Sequence, residues 1–244
     1  MQHKTAAIVV IGNEILTGKS EDKNASLLIK ELYKLGVALR HVEIIPDDVE
    51  EIARSVSNSA SKFDYVFTSG GVGPTHDDMT IVGVARAFNR KVVRDVELAR
   101  MLTGYFGDET NEARLRMADV PEGSTLLWDN GLRWPVLSVE NVYVLPGVPE
   151  HFRNKFEAIK GRFRVSPFHT SLIFTNEDEF DIAPRLDEVA SRCGDVEIGS
   201  YPTFKESDGY RVKITIESKE PDQVERARDI LLGLLDRNFL VRVE

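Results

Sequence analysis

The 244-residue chain is short of cysteine, of long apolar runs and of positive charge, and each shortage removes a class of function. Its single cysteine, Cys193, can form no internal disulfide, and no CxxC pair or zinc-ligand spacing occurs, so neither a disulfide scaffold nor a zinc module is expected. No stretch approaches the roughly 20 apolar residues that span a bilayer. Residues 1–11 hold only a short apolar run with no small-residue cleavage site behind it, so the expectation is a cytoplasmic protein with no membrane partner. With 31 Lys and Arg against 40 Asp and Glu, the formal net charge of −9 gives no general attraction to nucleic acid. GxSxG and HExxH are missing, and His3, His41, His151 and His169 are too scattered to form a triad or a metal cluster; they read as surface or packed histidines.

What is present is a composition 42% hydrophobic and 29% charged, ordinary for a soluble globular protein of one or two domains. Residues 6–11 are a continuous apolar run closed by Gly12, as in a strand buried on both faces. Leu28, Leu32 and Leu35 recur at helical spacing within 24–35, and Gly36 stands where that helix stops. A strand over 37–45 ends at Pro46, Val49, Ile52, Val56 and Ala60 mark a second helix, and 64–68 gives a third strand. A glycine-rich loop and a helix over about 78–88 follow, then a helical pattern from 96 to 117 and a strand pair over 136–139 and 142–145. This alternation implies an α/β fold with a doubly wound, mainly parallel sheet. A charged helix over 150–162 leads to Ser166-Pro167, the expected boundary between a domain of residues 1–165 and one of 166–244. Beyond it, strand 168–175, helix 179–192, strands 196–201 and 210–217, helix 221–237 and strand 239–243 give the βαββαβ order of a small α+β ferredoxin-like domain.

The chemistry is concentrated in the loop after the third strand. Gly70, Gly71 and Gly73 allow positive φ angles and let backbone amides approach an anion, for which phosphate is the natural guest. Pro74 stiffens the loop, Thr75 offers a hydroxyl, and the following helix is expected to aim its first amides at the same point. Asp77 and Asp78 then stand where negative charge repels phosphate. A divalent metal such as Mg²⁺ bridging carboxylate and phosphate resolves that conflict. So does one Asp acting as a general base or as acceptor for a ligand N–H. The plainer alternative is a tight turn in which Thr75 and Asp78 cap the helix. Against it stands the number of polar groups, Ser69, Thr75, His76, Asp77, Asp78 and Thr80, around one glycine nest. A Walker A loop over 12–20 fails on register, since five residues rather than four separate Gly12 from Gly18-Lys19-Ser20.

The run Gly-Gly-Val-Gly-Pro-Thr-His-Asp-Asp-Met-Thr resembles the signature of the molybdopterin-binding domain family (MoaB/Mog-like), in the form found in competence/damage-inducible protein A (CinA). Ile11-Gly12-Asn13-Glu14-Ile15-Leu16-Thr17-Gly18 with Asn24-Ala25, Pro46-Asp47-Asp48, and Leu145-Pro146-Gly147-Val148-Pro149-Glu150 extend the resemblance over roughly residues 4–165. All four segments fall at the carboxyl ends of expected strands, where open α/β sheets bind ligands. The resemblance implies that Asp47 and Asp78 direct acidic groups into a pterin or nucleotide site, that Gly70, Gly71, Gly73 and Thr75 hold phosphate, and that Asn13 and Glu14 line the crevice. Pro74, Thr80, Pro146 and Gly147 complete the expected ligand shell, with Asp77 and Asp78 as metal ligands and catalytic groups. Plainer roles are a turn for Asn13, a helix cap for Asp47, a surface charge for Glu14 and a structural corner for 146–150.

At 131–136 the chain reads Gly-Leu-Arg-Trp-Pro-Val, where the competence/damage type usually has Gly-Thr-Ala-Pro-Gly. It is there more similar to the related domain of eukaryotic FAD synthases, and Gly199-Ser200-Tyr201-Pro202 with Tyr210-Arg211-Val212-Lys213 extends that likeness into the second domain. Residues 1–244 hold no adenylyltransferase module, so FAD synthesis is not expected from these residues alone. The resemblance implies a metal-dependent nucleotide pyrophosphatase acting on an ADP-ribose-like or FAD-like dinucleotide. The alternatives are molybdopterin binding or adenylation in cofactor biosynthesis, and a non-catalytic pterin or nucleotide sensor. Relatives of this kind form dimers or trimers, so a homo-oligomer is expected.

Overall fold

A computed structural model describes residues 3–244; residues 1 and 2, which the sequence reading includes in the first domain, lie outside the described residues. Two compact units result, Met1–Val165 and Ser166–Glu244.

The first unit begins with β1 (Thr5–Ile11), a single turn of helix α1 (Asn13–Leu16), α2 (Asn24–Lys34), β2 (Ala38–Ile45), α3 (Val49–Lys62) and β3 (Tyr65–Ser69). It continues through α4 (Thr80–Ala87), β4 (Val92–Arg94), α5 (Val96–Phe106), a second short helix α6 (Glu112–Leu115), β5 (Asp119–Pro121) and β6 (Thr125–Leu127). The hairpin β7 (Val136–Val139) and β8 (Val142–Leu145) and helix α7 (Pro149–Ile159) close it. Six strands form one sheet in the order β2-β1-β3-β8-β7-β6. The first four run parallel, and β7 and β6 add an antiparallel edge.

The apolar run of β1 is divided between two cores. Ala6, Ile8 and Val10 face Leu28 and Leu32 of α2 and Phe152 and Phe156 of α7, whereas Ala7, Val9 and Ile11 face Ile52 and Val56 of α3 and Val84 of α4. Burial on both faces is what a central parallel strand between helix layers requires. Phe67, Tyr143, Phe156 and Phe163 pack edge-on or stacked at centroid distances of 4.9 to 6.0 Å under α7. At the end of α2, Gly36 adopts φ +84°, and the amides of Gly36 and Val37 return to the carbonyls of Tyr33 and Leu32, so the helix stops where the glycine stands.

Two stretches depart from expectation. The helical pattern over 96–117 is broken, because α5 ends against Gly107 at φ +53° and only a single turn, α6, resumes it. The helix expected from 78 starts at Thr80, because Asp78 is turned back onto Thr75. Strands β4, β5 and β6 had no counterpart in the periodicity, being three residues long each.

The second unit contains β9 (His169–Thr175), α8 (Glu179–Arg192), β10 (Glu197–Pro202), β11 (Val212–Ser218), α9 (Pro221–Leu234) and β12 (Leu240–Val243). Its antiparallel sheet has the order β10-β11-β9-β12. Ile182 and Val189 of α8 and Val224, Ala227 and Leu231 of α9 pack on Ile173, Val212, Ile214 and Ile216. This is the βαββαβ arrangement of a ferredoxin-like domain. Among the described residues no helix is long and apolar enough to cross a membrane.

Candidate functional site

The carboxyl ends of β1, β3 and β8 meet at backbone contact. Gly70 lies at φ +107° with its missing Cβ position only 2.1 Å from the Ile11 carbonyl oxygen, and Gly147 brings its own to 3.2 Å from the Gly70 Cα. Only glycine permits such an approach. Gly71, at φ +62°, sits over Thr80, whose hydroxyl donates to the Gly70 carbonyl at 2.7 Å and whose amide donates to the Gly71 carbonyl at 3.0 Å.

This arrangement leaves a nest. The Gly70 amide donates to Leu145, but among the described residues the amides of Gly71, Val72 and Gly73 have no acceptor. They border a cavity of about 1180 Å³, at or above the upper end of what small-ligand sites enclose. Consecutive uncommitted amides with positive φ at the loop's start form an anion-binding concavity. The first amide of α4, expected to aim at the same point, is instead used by Gly71.

Of the residues nominated from sequence, Glu14, Gly70, Gly71, Gly73, Asp78, Pro146 and Gly147 line this cavity, and Asn13, Asp47, Pro74, Thr75, Asp77 and Thr80 lie outside its wall. Asp78 does not cap α4. Its Oδ2 accepts the Thr75 amide at 2.8 Å and the Thr75 hydroxyl, which closes the loop and leaves Oδ1 without a hydrogen bond. Asp77 is two-thirds exposed; the nearby Thr75 hydroxyl and its own amide hold its carboxyl below the usual range. Asp47 is not a cap either. That role belongs to Asp48, which accepts the amides of Glu50 and Glu51, while Asp47 Oδ2 takes the Asn13 amide at 2.8 Å and ties the β1 and β2 ends together. Thr80 is fully buried and shapes the loop from behind.

The wall also includes Asn24, which the family motif contained without a role being given to it, and residues that no motif marked. Asn24, 3% exposed, donates through Nδ2 to Ser69 Oγ and the Gly147 carbonyl, both at 2.8 Å, while its Oδ1 is buried without a donor. Since a carbonyl can only accept, the amide orientation follows from the Gly147 contact. From α7, His151, Asn154 and Lys155 reach the cavity on one face. Their three- and four-residue spacings behind Pro149 were the available signal. Lys155 Nζ donates to the carbonyls of Trp134 (2.8 Å) and Pro135 (2.6 Å), and burial pulls its pKa down to about 8. The atypical segment Leu132-Arg133-Trp134-Pro135 supplies a further part of the wall, with Arg116 and Met117 beside it.

Residues 7–164 match the family described as "Probable molybdopterin binding domain", and residues 167–244 match the "FAD synthase, middle domain". A "Probable FAD synthase" of Caenorhabditis briggsae is 38% identical over 263 residues, covering 96% of this chain and 50% of that protein, so the chain spans about half the length of such relatives. A protein of Archaeoglobus fulgidus is 39% identical over 220 residues, covering 90% of this chain and 93% of its own. Among solved structures, "the protein CinA with unknown function" from Thermoplasma acidophilum aligns at 30% identity with a TM-score of 0.61, over 66% of this chain and 98% of that one. With its sheet, its glycine loop and more than half its length accounted for in this way, the chain belongs to the molybdopterin-binding domain family, and its remaining residues 167–244 are similar to the FAD synthase middle domain.

Proposed function

We propose that the cavity acts on a nucleotide, and that its reaction is hydrolysis of the diphosphate bond of an ADP-ribose-like or FAD-like dinucleotide. The observation that carries this is the set of uncommitted amides at Gly71, Val72 and Gly73 facing a cavity that Asp78 also borders. The amides would take diphosphate oxygens and favour the charge that grows on them as the bond breaks. Thr75 holds Asp78 in one orientation, with Oδ1 free to accept a proton or orient a water.

A divalent ion fits this donor set only in part. Among the described residues no three His, Cys, Asp or Glu side chains converge as ligands. Asp78, whose Oδ1 makes no hydrogen bond, is the carboxylate that would hold an Mg²⁺ bound largely by substrate phosphates, with Asp77 next to it in the chain but outside the cavity wall. When bound, such an ion would supply charge neutralisation and a more acidic water.

Asp78→Asn keeps an acceptor for Thr75 and removes the charge. It should lower release of nucleoside monophosphate from ADP-ribose and FAD in Mg²⁺ by about a hundredfold or more, with an unchanged melting temperature. Turnover within a few-fold of the parent protein sinks the assignment. The second reading, pterin binding without hydrolysis, draws on the two carboxylates Glu14 and Asp78 in one crevice, which suit a ring rich in N–H donors. Absent turnover together with tight molybdopterin binding would favour it.

A further inference from the structure

We propose that Lys155 is the specificity-determining cation of this cavity, the side chain that selects ligands carrying a phosphate-type anion. The proposal rests on the nucleotide reading only for the identity of that anion's carrier.

Lys155 projects from α7 to the cavity wall, where its ammonium bonds the carbonyls of Trp134 and Pro135. An ammonium has three protons, so one remains uncommitted after those two bonds. Among the described residues no carboxylate lies within ion-pair distance of it. Of the five acids that line the cavity, Asp22 holds the first amides of α2, Asp78 is held through Oδ2 by Thr75 and Asp119 pairs with Arg94, while Glu14 and Glu21 make no ion pair among the described residues; none of the five pairs with Lys155. Lys23, Arg116 and Arg133 also line the cavity without a carboxylate partner among the described residues, but all three are exposed, whereas Lys155 is partly buried and fixed by two carbonyls.

A partly buried cation without a counter-charge is costly, and burial accordingly weakens its hold on the proton. A plain tether between α7 and the 134–135 segment needs no charge, since a neutral amide donor would bond the same carbonyls without that cost. A ligand anion in the cavity supplies the missing counter-charge and accepts the third N–H. Lysine serves as a point charge for phosphate in this way. The nest amides and Lys155 then give the cavity two anion-binding elements drawn from different parts of the chain, the β3–α4 loop and α7.

The experiment is calorimetric titration in chelator, so that no hydrolysis intervenes, with inorganic pyrophosphate, ADP-ribose and adenosine. The proteins are the parent chain, Lys155→Gln and Lys155→Arg. Gln keeps a donor for the two carbonyls and removes the charge; Arg keeps the charge. Lys155→Gln should bind pyrophosphate and ADP-ribose roughly 10- to 100-fold more weakly, as loss of a charge-assisted bond predicts. Adenosine affinity should be unchanged, and Lys155→Arg should restore part of the loss. Unchanged pyrophosphate affinity in Lys155→Gln overturns the proposal. So does an equal loss for all three ligands with a lowered melting temperature, which marks a structural tether. A parent chain that binds neither pyrophosphate nor ADP-ribose also overturns it. If the parent binds pyrophosphate but not ADP-ribose, the nucleotide reading falls, and Lys155 is still judged on pyrophosphate alone.

Discussion

Replacing Gly70 by alanine tests whether the meeting of strand ends is as tight as its geometry states. At φ +107° any side chain is strained, by about 1–2 kcal/mol for a left-handed backbone. The added Cβ would also stand 2.1 Å from the Ile11 carbonyl oxygen, and because that atom is main chain in the central strand no rotamer change relieves the overlap. Overpacking of this kind adds about 1–3 kcal/mol, so the total is about 2–5 kcal/mol. Gly18→Ala is the matched control, with φ +71° but nothing within 4 Å of its Cβ position, and should lose only about 1 kcal/mol. Both tryptophans, Trp128 and Trp134, lie in the first unit, so selectively excited tryptophan fluorescence in urea follows that unit. At a slope of about 2 kcal/mol per molar, a loss of 3 kcal/mol moves the midpoint down by about 1.5 M. Equal midpoints for the two variants would refute the close approach.

The same fluorescence assay applies to two further changes. Asp48→Ala should cost about 1 kcal/mol and Asp48→Asn far less, because Asp48 rather than Asp47 accepts the first amides of α3. For Lys155 the folded pKa of about 8 lies below the ordinary 10.5, so between those values the unfolded chain holds a proton that the folded chain has released. Stability therefore rises with pH across that window, and below it the burial penalty is constant. The gap corresponds to at most about 3 kcal/mol, and to about 1–2 kcal/mol once partial exposure is allowed for. Lys155→Met should be the more stable protein at pH 7 and should narrow its lead toward pH 10.5. A lead that does not narrow counts against the depressed pKa.

The parallel sheet was legible because its signal is redundant: the run from Ala6 to Ile11 is apolar at every position, as burial on both faces demands, and Gly36 marks a helix end by the backbone angle it alone adopts cheaply. The glycine loop was legible for the same reason. What could not be read was which of two adjacent aspartates does which task. Asp47 and Asp48 are equivalent as letters and differ only in where the turn after Pro46 points them, and Asp77 and Asp78 are separated by the way Thr75 folds back. Strands β4 and β5 stayed hidden because three residues show no period, and they exist only by pairing with each other. Lys155 stayed hidden because it is one charged residue among several on α7; its distinction is the pair of carbonyls brought to it by a segment 20 to 21 residues away.

The floor of the crevice is main chain, made where Ile11, Gly70 and Gly147 close on one another, and main chain offers every sequence the same amides and carbonyls. Substitution there has almost no vocabulary: a side chain at these glycines can break the floor but cannot retune it. The wall from 132 to 135 and the α7 face bearing His151, Asn154 and Lys155 is side chain; Leu132 and Trp134 also pack against the cores, whereas Arg133, His151 and Asn154 are exposed. A directed-evolution library aimed at a new ligand therefore belongs first on Arg133, His151 and Asn154, and one spread over the glycine loop would sample mostly destabilised proteins.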